Sequence, residues 1–301
     1  MIQSVVLTPK DFKSEVKPTW CPGCGDFGVL NAAYNTLASL KIPADETVVI
    51  SGIGCSSRLP HFVKTFGFHS VHGRALPVAQ GLKMARPDLN VIAVGGDGDF
   101  FSIGAGHLVH AALRNIDITV VVMDNEIYGL TKGQTSPTSP TGHTTKSTPY
   151  GLLASQFNPI ATALTLNVSF VARGFSSKPK ELAALIEQGT HHHGFSFIHV
   201  LSPCPTFYNT MDAWKTNVVP IPADHDTHNR IKALELAMET EKPYVGLFYQ
   251  EERPTMDQVA HQLVNKPKSS ISTSTCPDMH KAFPGRRGSS LSYTKPAWIG
   301  V

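Results

Sequence analysis

The stretch that decides the fold is Asn90-Val91-Ile92-Ala93-Val94-Gly95-Gly96-Asp97-Gly98-Asp99. Its first half is a continuous apolar run, which favours a strand buried on both faces. The glycines and aspartates that follow predict a sharp turn, and a helix is expected after it. A buried strand that leads through a tight turn into a helix is the unit from which parallel α/β sheets are built.

The same alternation of strands and helices extends outward from this stretch in both directions. Further strands are predicted at residues 46–51, 117–123, 167–172 and 195–200, and helices at 26–37, 74–86 and 179–188. Asp26 is expected to cap the first of these helices. Continuous apolar strands separated by helices predict an α/β protein with a doubly wound parallel sheet that is covered on both faces.

Composition excludes several classes of protein. The chain has 301 residues, of which 41% are hydrophobic and 16% are charged, so it can bury a sizeable core. Its net charge is +3, and no basic run is interleaved with aromatic residues, so we expect no nucleic-acid partner. Residues 1–9 lack a basic flank and a long apolar stretch, and no apolar run approaches the ~20 residues of a membrane span. We therefore expect a cytoplasmic protein with neither a signal peptide nor a membrane segment.

Four of the five cysteines lie in settings that suit a metal. Cys21 and Cys24 flank a Pro-Gly turn, Cys55 follows Gly52-Ile53-Gly54, and Cys204 lies between Pro203 and Pro205. Four such thiolates fit a tetrahedral zinc ion or a cubane iron–sulfur cluster, and reduced structural thiols are a third interpretation. The fifth, Cys276, lies in a polar C-terminal stretch and is interpreted as a spare thiol. An odd cysteine count in a long chain argues against a disulfide-stapled secreted domain.

A second pattern predicts a site for magnesium and a diphosphate. Gly95-Gly96-Asp97-Gly98-Asp99 ends one apolar strand, and Asp124-Asn125-Glu126-Ile127-Tyr128-Gly129 ends the next. The Asp97 carboxylate, the Asn125 amide oxygen and the backbone carbonyl of Ile127 are oxygen ligands of the kind that magnesium prefers. The glycines allow the backbone to approach phosphate closely, and a helix that starts near Asp99 would point free N–H groups at the anion.

The two patterns are expected to meet at one edge of the sheet. Cys55, Asp97, Asn125 and Cys204 each follow a predicted strand directly. Ligands of parallel sheets bind at the carboxyl ends of the strands, and these ends share one edge. The sequence therefore predicts that the cysteines and the diphosphate site are neighbours.

These motifs give the chain a family resemblance over residues 15–250. It resembles the β subunit of the 2-oxoacid:ferredoxin oxidoreductases, in which this subunit binds thiamine diphosphate with magnesium and one [4Fe–4S] cluster. The motifs that carry the resemblance are WCPGCG at Trp20–Gly25, GIGCSSR at Gly52–Arg58, HGRALP at His72–Pro77, GGDGDFFSIGAGHLVHAALRN at Gly95–Asn115 and DNEIYGLTKGQTSPTS at Asp124–Ser139. The implied fold is the pyrophosphate-type domain of thiamine diphosphate enzymes.

The resemblance also implies roles for particular residues. Cys21, Cys24, Cys55 and Cys204 would ligate the cluster, whereas Asp97, Asn125 and the carbonyl of Ile127 would hold magnesium. No side chain of this chain is assigned a catalytic role, although Arg58 and Lys132 are possible substrate contacts. The residues implied to contact thiamine diphosphate are Ile53, Gly54, Cys55, Ser56, His72, Gly98, Asp99, Gly129 and Leu130.

The implied activity is the coenzyme A-dependent oxidative decarboxylation of a 2-oxoacid to acyl-CoA and CO2, with electrons passed through the cluster to ferredoxin. Pyruvate, 2-oxoglutarate and other 2-oxoacids are all open as substrates, and so are the subunit stoichiometry and the ferredoxin dock. We see no second thiamine-type domain to hold the aminopyrimidine ring. In the family an α subunit, or a fused γ–α subunit, supplies that site, so we expect a hetero-oligomer.

The division of the chain is predicted to lie near residue 225. Residues 1–225 would form the domain for thiamine diphosphate, magnesium and the cluster. Residues 226–301 would form an extension with a helical start and then a polar tail or partner-binding arm. Two other functions fit the motifs less well. One is a non-redox thiamine lyase with structural zinc, and the other is an electron-transfer or assembly protein without thiamine.

Overall fold

An eight-stranded sheet forms the centre of the computed structural model, which describes residues 7–239 and 241–264. The ten strands of the described chain are β1 Thr47–Ser51, β2 Phe66–His69, β3 Asn90–Gly96, β4 Ile118–Asp124, β5 Ile127–Tyr128, β6 Gln134–Thr135, β7 Phe170–Phe175, β8 Phe195–Leu201, β9 Val219–Pro220 and β10 Tyr244–Gln250. The order across the large sheet is β2-β1-β3-β4-β8-β7-β10-β9, whereas β5 and β6 form a separate antiparallel ribbon.

The prediction of a parallel sheet is confirmed. From β2 to β7 every neighbouring pair is parallel, whereas β10 is antiparallel to β7 and β9 runs parallel to β10. The strand predicted at 167–172 lies three residues later, at β7, because the chain is still leaving a helix there. The Val168 N–H bonds to the Ala163 carbonyl at 3.1 Å, and Asn167 turns the chain with a φ of 60°.

The helices are α1 Asp26–Leu40, α2 Ala75–Ala85, α3 Ala105–Arg114, α4 Pro159–Thr165, α5 Pro179–His191, α6 Met211–Asn217, α7 Arg230–Met238 and α8 Met256–Val264. Pro77 is tolerated in α2 because it lies in the first turn, where backbone N–H groups have no partner within the helix. In the part of the chain that the structure describes, no helix has both the length and the apolar character needed to cross a bilayer.

Helices cover both faces of the sheet, and each strand of the centre contributes to both layers. Val91 and Ala93 of β3 pack with α2, α3, α4 and α7 on one face, whereas Ile92 and Val94 pack with α1 and α5 on the other. This alternation is the period of two that a strand imposes on its side chains. It explains why the central strands carry apolar residues on both faces over most of their length, and the doubly wound α/β class is confirmed.

The predicted capping role of Asp26 is wrong. Gly25 is the N-cap of α1 and makes no side-chain cap, whereas Asp26 is already the first residue inside the helix. The Asp26 carboxyl is 1% exposed and its Oδ1 instead accepts a hydrogen bond of 2.7 Å from Ser202 Oγ, just past the end of β8. A partner distant in sequence therefore replaced the local cap.

The boundary predicted at residue 225 lies inside the sheet unit. α7 packs on one face of the sheet, and β10 pairs with β7, so the unit that contains the sheet extends to Ala260. α7, Arg230–Met238, is the first helix after residue 225. The second unit, His261–Val301, falls almost entirely outside the described residues, and so do the polar tail and Cys276.

We expect Asn115 to stabilise the packing of the segment that follows β10 against the rest of the sheet unit. Its Oδ1 accepts hydrogen bonds from Ser169 Oγ at 2.7 Å and from the Phe195 N–H at 3.1 Å, and its Nδ2 donates to the Arg253 carbonyl at 3.1 Å. Asn115→Ala should lower the free energy of unfolding by about 2–4 kcal/mol, because it strands buried polar groups and places alanine at a φ of 47°.

Chemical denaturation of the purified chain measures this effect. Lys41→Gly is the matched control, because Lys41 is also left-handed (φ 56°) but is exposed. This control should change the free energy of unfolding by less than about 0.5 kcal/mol. An Asn115→Ala chain as stable as the wild type would contradict the role assigned to Asn115.

Candidate functional site

Four loops converge at the carboxyl edge of the sheet. They follow β1, β3, β4 and β8, which are consecutive neighbours in the sheet and run in the same direction. These loops carry Cys55, Asp97, Asn125 and Cys204 respectively. The expectation that these four residues share one edge is confirmed, and it follows from parallel pairing alone.

A cleft of about 1150 Å³, partly open to solvent, lies at this edge. All nine residues implied to contact thiamine diphosphate line it, and so do Asp97, Asn125 and Ile127. The cleft is large enough for a cofactor of this size. Sequence reasoning missed four further lining residues, which are Gly96, Tyr128, Thr131 and Gln134. All four lie inside the quoted motifs Gly95–Asn115 and Asp124–Ser139, but a motif does not show which of its residues face the cleft.

The Asp99 carboxyl fixes the two loops on one wall of the cleft. Its Oδ1 accepts hydrogen bonds from the backbone N–H groups of Ile53 (3.0 Å) and Gly73 (2.7 Å), and it lies 2.7 Å from His72 Nδ1. Burial raises the pKa of Asp99. Its Oδ2 is buried without a hydrogen-bond partner. Gly52 has no room for a Cβ, because that atom would overlap the Asp99 carboxyl group.

Asp97 lies on the floor of the cleft beside a second buried acid. The Thr138 hydroxyl lies 2.8 Å from Asp97 Oδ2 and 2.7 Å from Asp124 Oδ1. A hydroxyl has one proton, so it can donate to only one of these carboxyl groups at a time. Burial, and then the charge of Asp124, raises the pKa of Asp97 to about 8. In the metal-free chain, the Thr138 hydroxyl therefore donates to Asp124, and a proton on Asp97 is donated to the Thr138 oxygen.

The turn that carries Asn125 and Ile127 is held by short-range hydrogen bonds. Asp124 Oδ1 accepts from the Glu126 N–H at 2.9 Å, and Asn125 Oδ1 accepts from the Ile127 N–H at 3.1 Å. Glu126 has a φ of 58°, which the turn requires. The amide oxygen of Asn125 has a second lone pair, which leaves it able to ligate a cation. Burial, followed by Asp124 and Asp97, raises the pKa of Glu126 to about 9.

Among residues 7–239 and 241–264, no three His, Cys, Asp or Glu side chains converge closely enough to hold a single metal ion by themselves. Magnesium bound with a diphosphate does not need such a group, because it takes one or two carboxylates and completes its octahedron with phosphate oxygens and water. A cubane cluster also differs from a single ion, because its thiolates surround a four-iron body. The donors present therefore fit both groups.

Four cysteines lie near one another beside the Gly52–Ser56 turn, and all four are free thiols. A methyl group placed on Gly129 would lie 3.6 Å from Cys55 Sγ and 3.8 Å from Cys204 Sγ. Cys24 and Cys21 are close enough to these thiols to perturb them electrostatically. Three separate segments thus bring their sulfur atoms to one place, next to the cleft.

Burial makes two of these thiols, Cys24 and Cys55, poor acids in the metal-free chain. Burial, and then the neighbouring Asp26, raises the pKa of Cys55 to about 11, and the same two causes raise the pKa of Cys24 further. Metals bind thiolates, so metal binding at this place must release protons. Burial also raises the pKa of Asp26 itself, to about 6.

Backbone and side-chain hydrogen bonds tie the N-terminal cysteine turn to the sheet edge. The Gly25 N–H donates to the Pro203 carbonyl at 3.0 Å, one residue before Cys204. Trp20 Nε1 donates to the Cys55 carbonyl at 2.7 Å, and its ring packs edge-to-face on Phe62. These two contacts hold the first cysteine pair against Cys204 and Cys55. The WCPGCG motif includes this tryptophan, but its role as a tether appears only in the structure.

Three expectations about the site need adjustment. Arg58 does not line the cleft, because its Nη1 donates to Thr19 Oγ1 at 2.7 Å and its charge lies beside Cys55. Lys132 is exposed on the turn that joins β5 to β6, with a φ of 76°, and is also outside the cleft lining. No long helix starts at Asp99. A π-helical turn, Asp99–Ile103, comes first, and α3 begins only at Ala105 because Ser102 breaks the helical backbone.

Comparisons with known proteins match this architecture. A family model described as "Thiamine pyrophosphate enzyme, C-terminal TPP binding domain" matches residues 52–200, which include the whole cleft. A second family model, which describes the C-terminal part of the pyruvate ferredoxin oxidoreductase beta subunit, matches residues 204–265. The second match begins at Cys204 and includes α7 and β10.

Two curated relatives show the range of similarity. The chain is 49% identical over 198 residues to 2-oxoglutarate oxidoreductase subunit KorB of Mycobacterium tuberculosis, which covers 66% of this chain and 53% of that protein. It is 43% identical over 249 residues to the 2-oxoacid:ferredoxin oxidoreductase subunit beta of Sulfolobus sp, which covers 77% of this chain and 82% of that protein. The chain thus spans about half of the first relative and about four fifths of the second.

A solved structure agrees over nearly its whole length. It is the 2-oxoglutarate:ferredoxin oxidoreductase from Magnetococcus marinus with 2-oxoglutarate, coenzyme A and succinyl-CoA bound. The superposition has a TM-score of 0.84 at 47% sequence identity and covers 90% of this chain and 97% of that chain. With the cleft, the cysteine arrangement and these similarities together, the chain belongs to the β subunits of the 2-oxoacid:ferredoxin oxidoreductases.

Proposed function

We propose that this chain is the cofactor-binding subunit of an enzyme that converts a 2-oxoacid and coenzyme A to acyl-CoA and CO2 and passes the electrons to ferredoxin. One observation carries the proposal. The Gly52–Ser56 turn lines the cleft together with Gly129, and a methyl group on Gly129 would lie 3.6 Å from Cys55 Sγ and 3.8 Å from Cys204 Sγ. A thiamine lyase without redox chemistry has no need for thiols so close to the cofactor.

In the diphosphate site, each residue has a defined task. Asp97, Asn125 and the carbonyl of Ile127 would hold magnesium, which neutralises the diphosphate charge. Gly98 leaves room for Tyr128, because a Cβ there would overlap the Tyr128 ring. The Tyr128 hydroxyl donates to the Gly98 carbonyl at 3.1 Å and keeps the loop in shape. The unpartnered Asp99 Oδ2 provides an acceptor for the cofactor at the same wall.

In the cluster site, Cys21, Cys24, Cys55 and Cys204 would each ligate one iron of a [4Fe–4S] cluster. When bound, thiamine diphosphate would supply an electron sink for decarboxylation, and the cluster would supply one-electron redox chemistry. The protein keeps the two sites adjacent through the Gly52–Ser56 turn. Buried Cys204 and Trp20, together with half-buried Cys24 and Cys55, would limit the access of water to the cluster, whereas Cys21 is exposed.

The substrate is proposed to be a 2-oxoacid, and 2-oxoglutarate is the first candidate because the Mycobacterium tuberculosis and Magnetococcus marinus proteins carry that name. Lys132, exposed at the rim, is a candidate contact for a substrate carboxylate. Arg58 is better interpreted as a cation beside the cluster, because Thr19 and Cys55 surround it. The partners would be an α subunit, ferredoxin and coenzyme A, in a reducing cytoplasm.

The identity of the metal is tested by anaerobic purification of the complex. The wild type should contain about four irons per chain and absorb broadly near ~400 nm. Serine at Cys21, Cys24, Cys55 or Cys204 should remove most of the iron, because a cubane needs all four corners. Cys276→Ser is the matched control and should retain it. A colourless protein with one zinc per chain would instead support the lyase.

The acidity of Asp97 makes the stability of the metal-free chain depend on pH. The folded chain keeps the proton up to about pH 8, whereas the unfolded chain loses it near 3.8. The stability due to this proton is therefore complete below pH 3.8 and is lost as pH rises through 8. With EDTA present, the melting temperature should fall by roughly 3–8 °C between pH 5 and pH 8.

Calorimetry with and without magnesium and thiamine diphosphate checks this prediction. The cofactors should raise the melting temperature most at pH 8, where the carboxylate is ionised. Asp97→Asn should reduce the dependence, because an amide has no proton to lose, and should leave the part that is due to Glu126. An EDTA-treated wild type that becomes more stable from pH 5 to pH 8 would contradict the assignment.

The chain is expected to be inactive without its partner. 2-Oxoacid-dependent reduction of a redox dye by the lone cluster-loaded chain should be below about 1% of that by the complex, because the aminopyrimidine site lies on the partner. A panel of 2-oxoacids with the complex would then identify the substrate. Robust activity of the lone chain would refute the division of the active site between subunits.

A further inference from the structure

A chain of buried polar side chains runs beneath the carboxyl edge, from the diphosphate site towards the opposite half of the sheet. Thr138 Oγ1 lies 2.8 Å from Asp97 Oδ2 and 2.7 Å from Asp124 Oδ1. Asp124 Oδ2 lies 2.8 Å from His199 Nε2, and His199 Nδ1 lies 3.0 Å from Arg173 Nε. This series of hydrogen bonds thus crosses from the end of β3 through β4 and β8 to β7.

The donors and acceptors along this chain are fixed by chemistry. The Arg173 Nε–H can only donate, so His199 Nδ1 must be the acceptor. The proton of the neutral imidazole is then on Nε2, which donates to Asp124 Oδ2. Arg173 therefore selects the tautomer that gives Asp124 a hydrogen bond.

These side chains are buried as deeply as the core. Asp124 is 2% exposed, His199 3% and Arg173 7%. The Arg173 guanidinium lies over the Phe248 ring, 5.6 Å from its centroid. A buried charge is costly unless it is paired, and apolar residues of similar volume often serve stability as well. Core packing alone does not explain an arginine, a histidine and an aspartate in a row.

The Asp97 end of this hydrogen-bonded series explains the arrangement. There, Asp124 contacts the groups that hold all three proposed magnesium ligands in place. Its Oδ1 accepts from the Glu126 N–H at 2.9 Å, and this bond shapes the turn that presents Asn125 and Ile127. The same oxygen meets Thr138, which reaches Asp97. The Ser139 hydroxyl closes the turn by donating to the Glu126 carbonyl at 2.5 Å.

We propose that His199 and Arg173 position the magnesium ligands through Asp124 and thereby set the affinity of the diphosphate site for its metal. Neither side chain lines the cleft, so both act as positioning residues and not as ligands. Residues that orient a metal's ligands commonly change its affinity by about 10–100-fold when they are replaced. This inference rests on the proposed function, because it assumes that Asp97, Asn125 and Ile127 bind magnesium.

The experiment measures the dissociation constant of Mg²⁺ by calorimetry on the full chain in its complex, stripped with EDTA and saturated with thiamine diphosphate. His199→Leu should weaken Mg²⁺ binding by about 10–100-fold, because Asp124 loses its donor. His199→Gln should stay within about threefold of the wild type, because an amide can donate to Asp124 and accept from Arg173. Arg173→Lys should weaken binding by about tenfold, because the Nε donor that selects the tautomer is lost.

Val200→Ala is the matched control. Val200 is the next residue of β8, is 0% exposed and faces the other side of the sheet. This variant should lose stability but bind Mg²⁺ like the wild type. Binding by His199→Leu and Arg173→Lys that equals the wild type would overturn the inference, and so would a loss in Val200→Ala as large as in His199→Leu.

Two further outcomes separate this inference from the proposal on which it rests. A wild type that binds neither Mg²⁺ nor thiamine diphosphate would refute the proposed function itself. If His199→Leu does not fold, Arg173→Lys and His199→Gln decide: weakened binding in the first with preserved binding in the second supports positioning. If Arg173→Lys and His199→Gln bind Mg²⁺ with the same affinity, the inference is overturned.

Discussion

The parallel pairing of β1, β3, β4 and β8 is the constraint on which the rest of the structure depends. Strands that run in the same direction end at the same edge, so the four loops after them must meet. Parallel strands also need helices between them, and these cover both faces with apolar side chains. The polar groups of the loops therefore have one place to gather, at an edge with a buried sheet directly beneath it.

Burial at this edge sets the electrostatics of the site. Asp97, Asp124 and Glu126 lie close together at the ends of two central strands, and burial is the largest cause of the raised pKa of each. Arg173 is the buried cation that faces them, and burial lowers its own pKa to about 10. A divalent cation held with a diphosphate would supply the remaining charge. In this account, the fold tolerates the three buried acids because a cation bound with the diphosphate would neutralise their charge.

Much of this architecture could be predicted from local sequence, and the misses share a physical cause. The strand-turn units at Asn90–Asp99 and Asp124–Gly129 each carry their information within a few residues, so the five central strands and most of the lining of the cleft were predictable. Asp26 was misassigned because its partner, Ser202, is distant in sequence. The strand β10 was missed because antiparallel pairing with β7 depends on a return of the chain that no motif announces. The contacts of Arg173 and His199 join separate strands and have no signature in either.

The central claim is that one turn, Gly52–Ser56, separates a thiamine diphosphate cleft from an iron cluster. Diffraction at the iron absorption edge from anaerobic crystals of the complex, grown with magnesium and thiamine diphosphate, tests it most directly. The account predicts anomalous iron density enclosed by Cys21, Cys24, Cys55 and Cys204, with the diphosphate bound across the turn at Asp97. Iron located elsewhere, or a diphosphate bound away from Asp97, would contradict it.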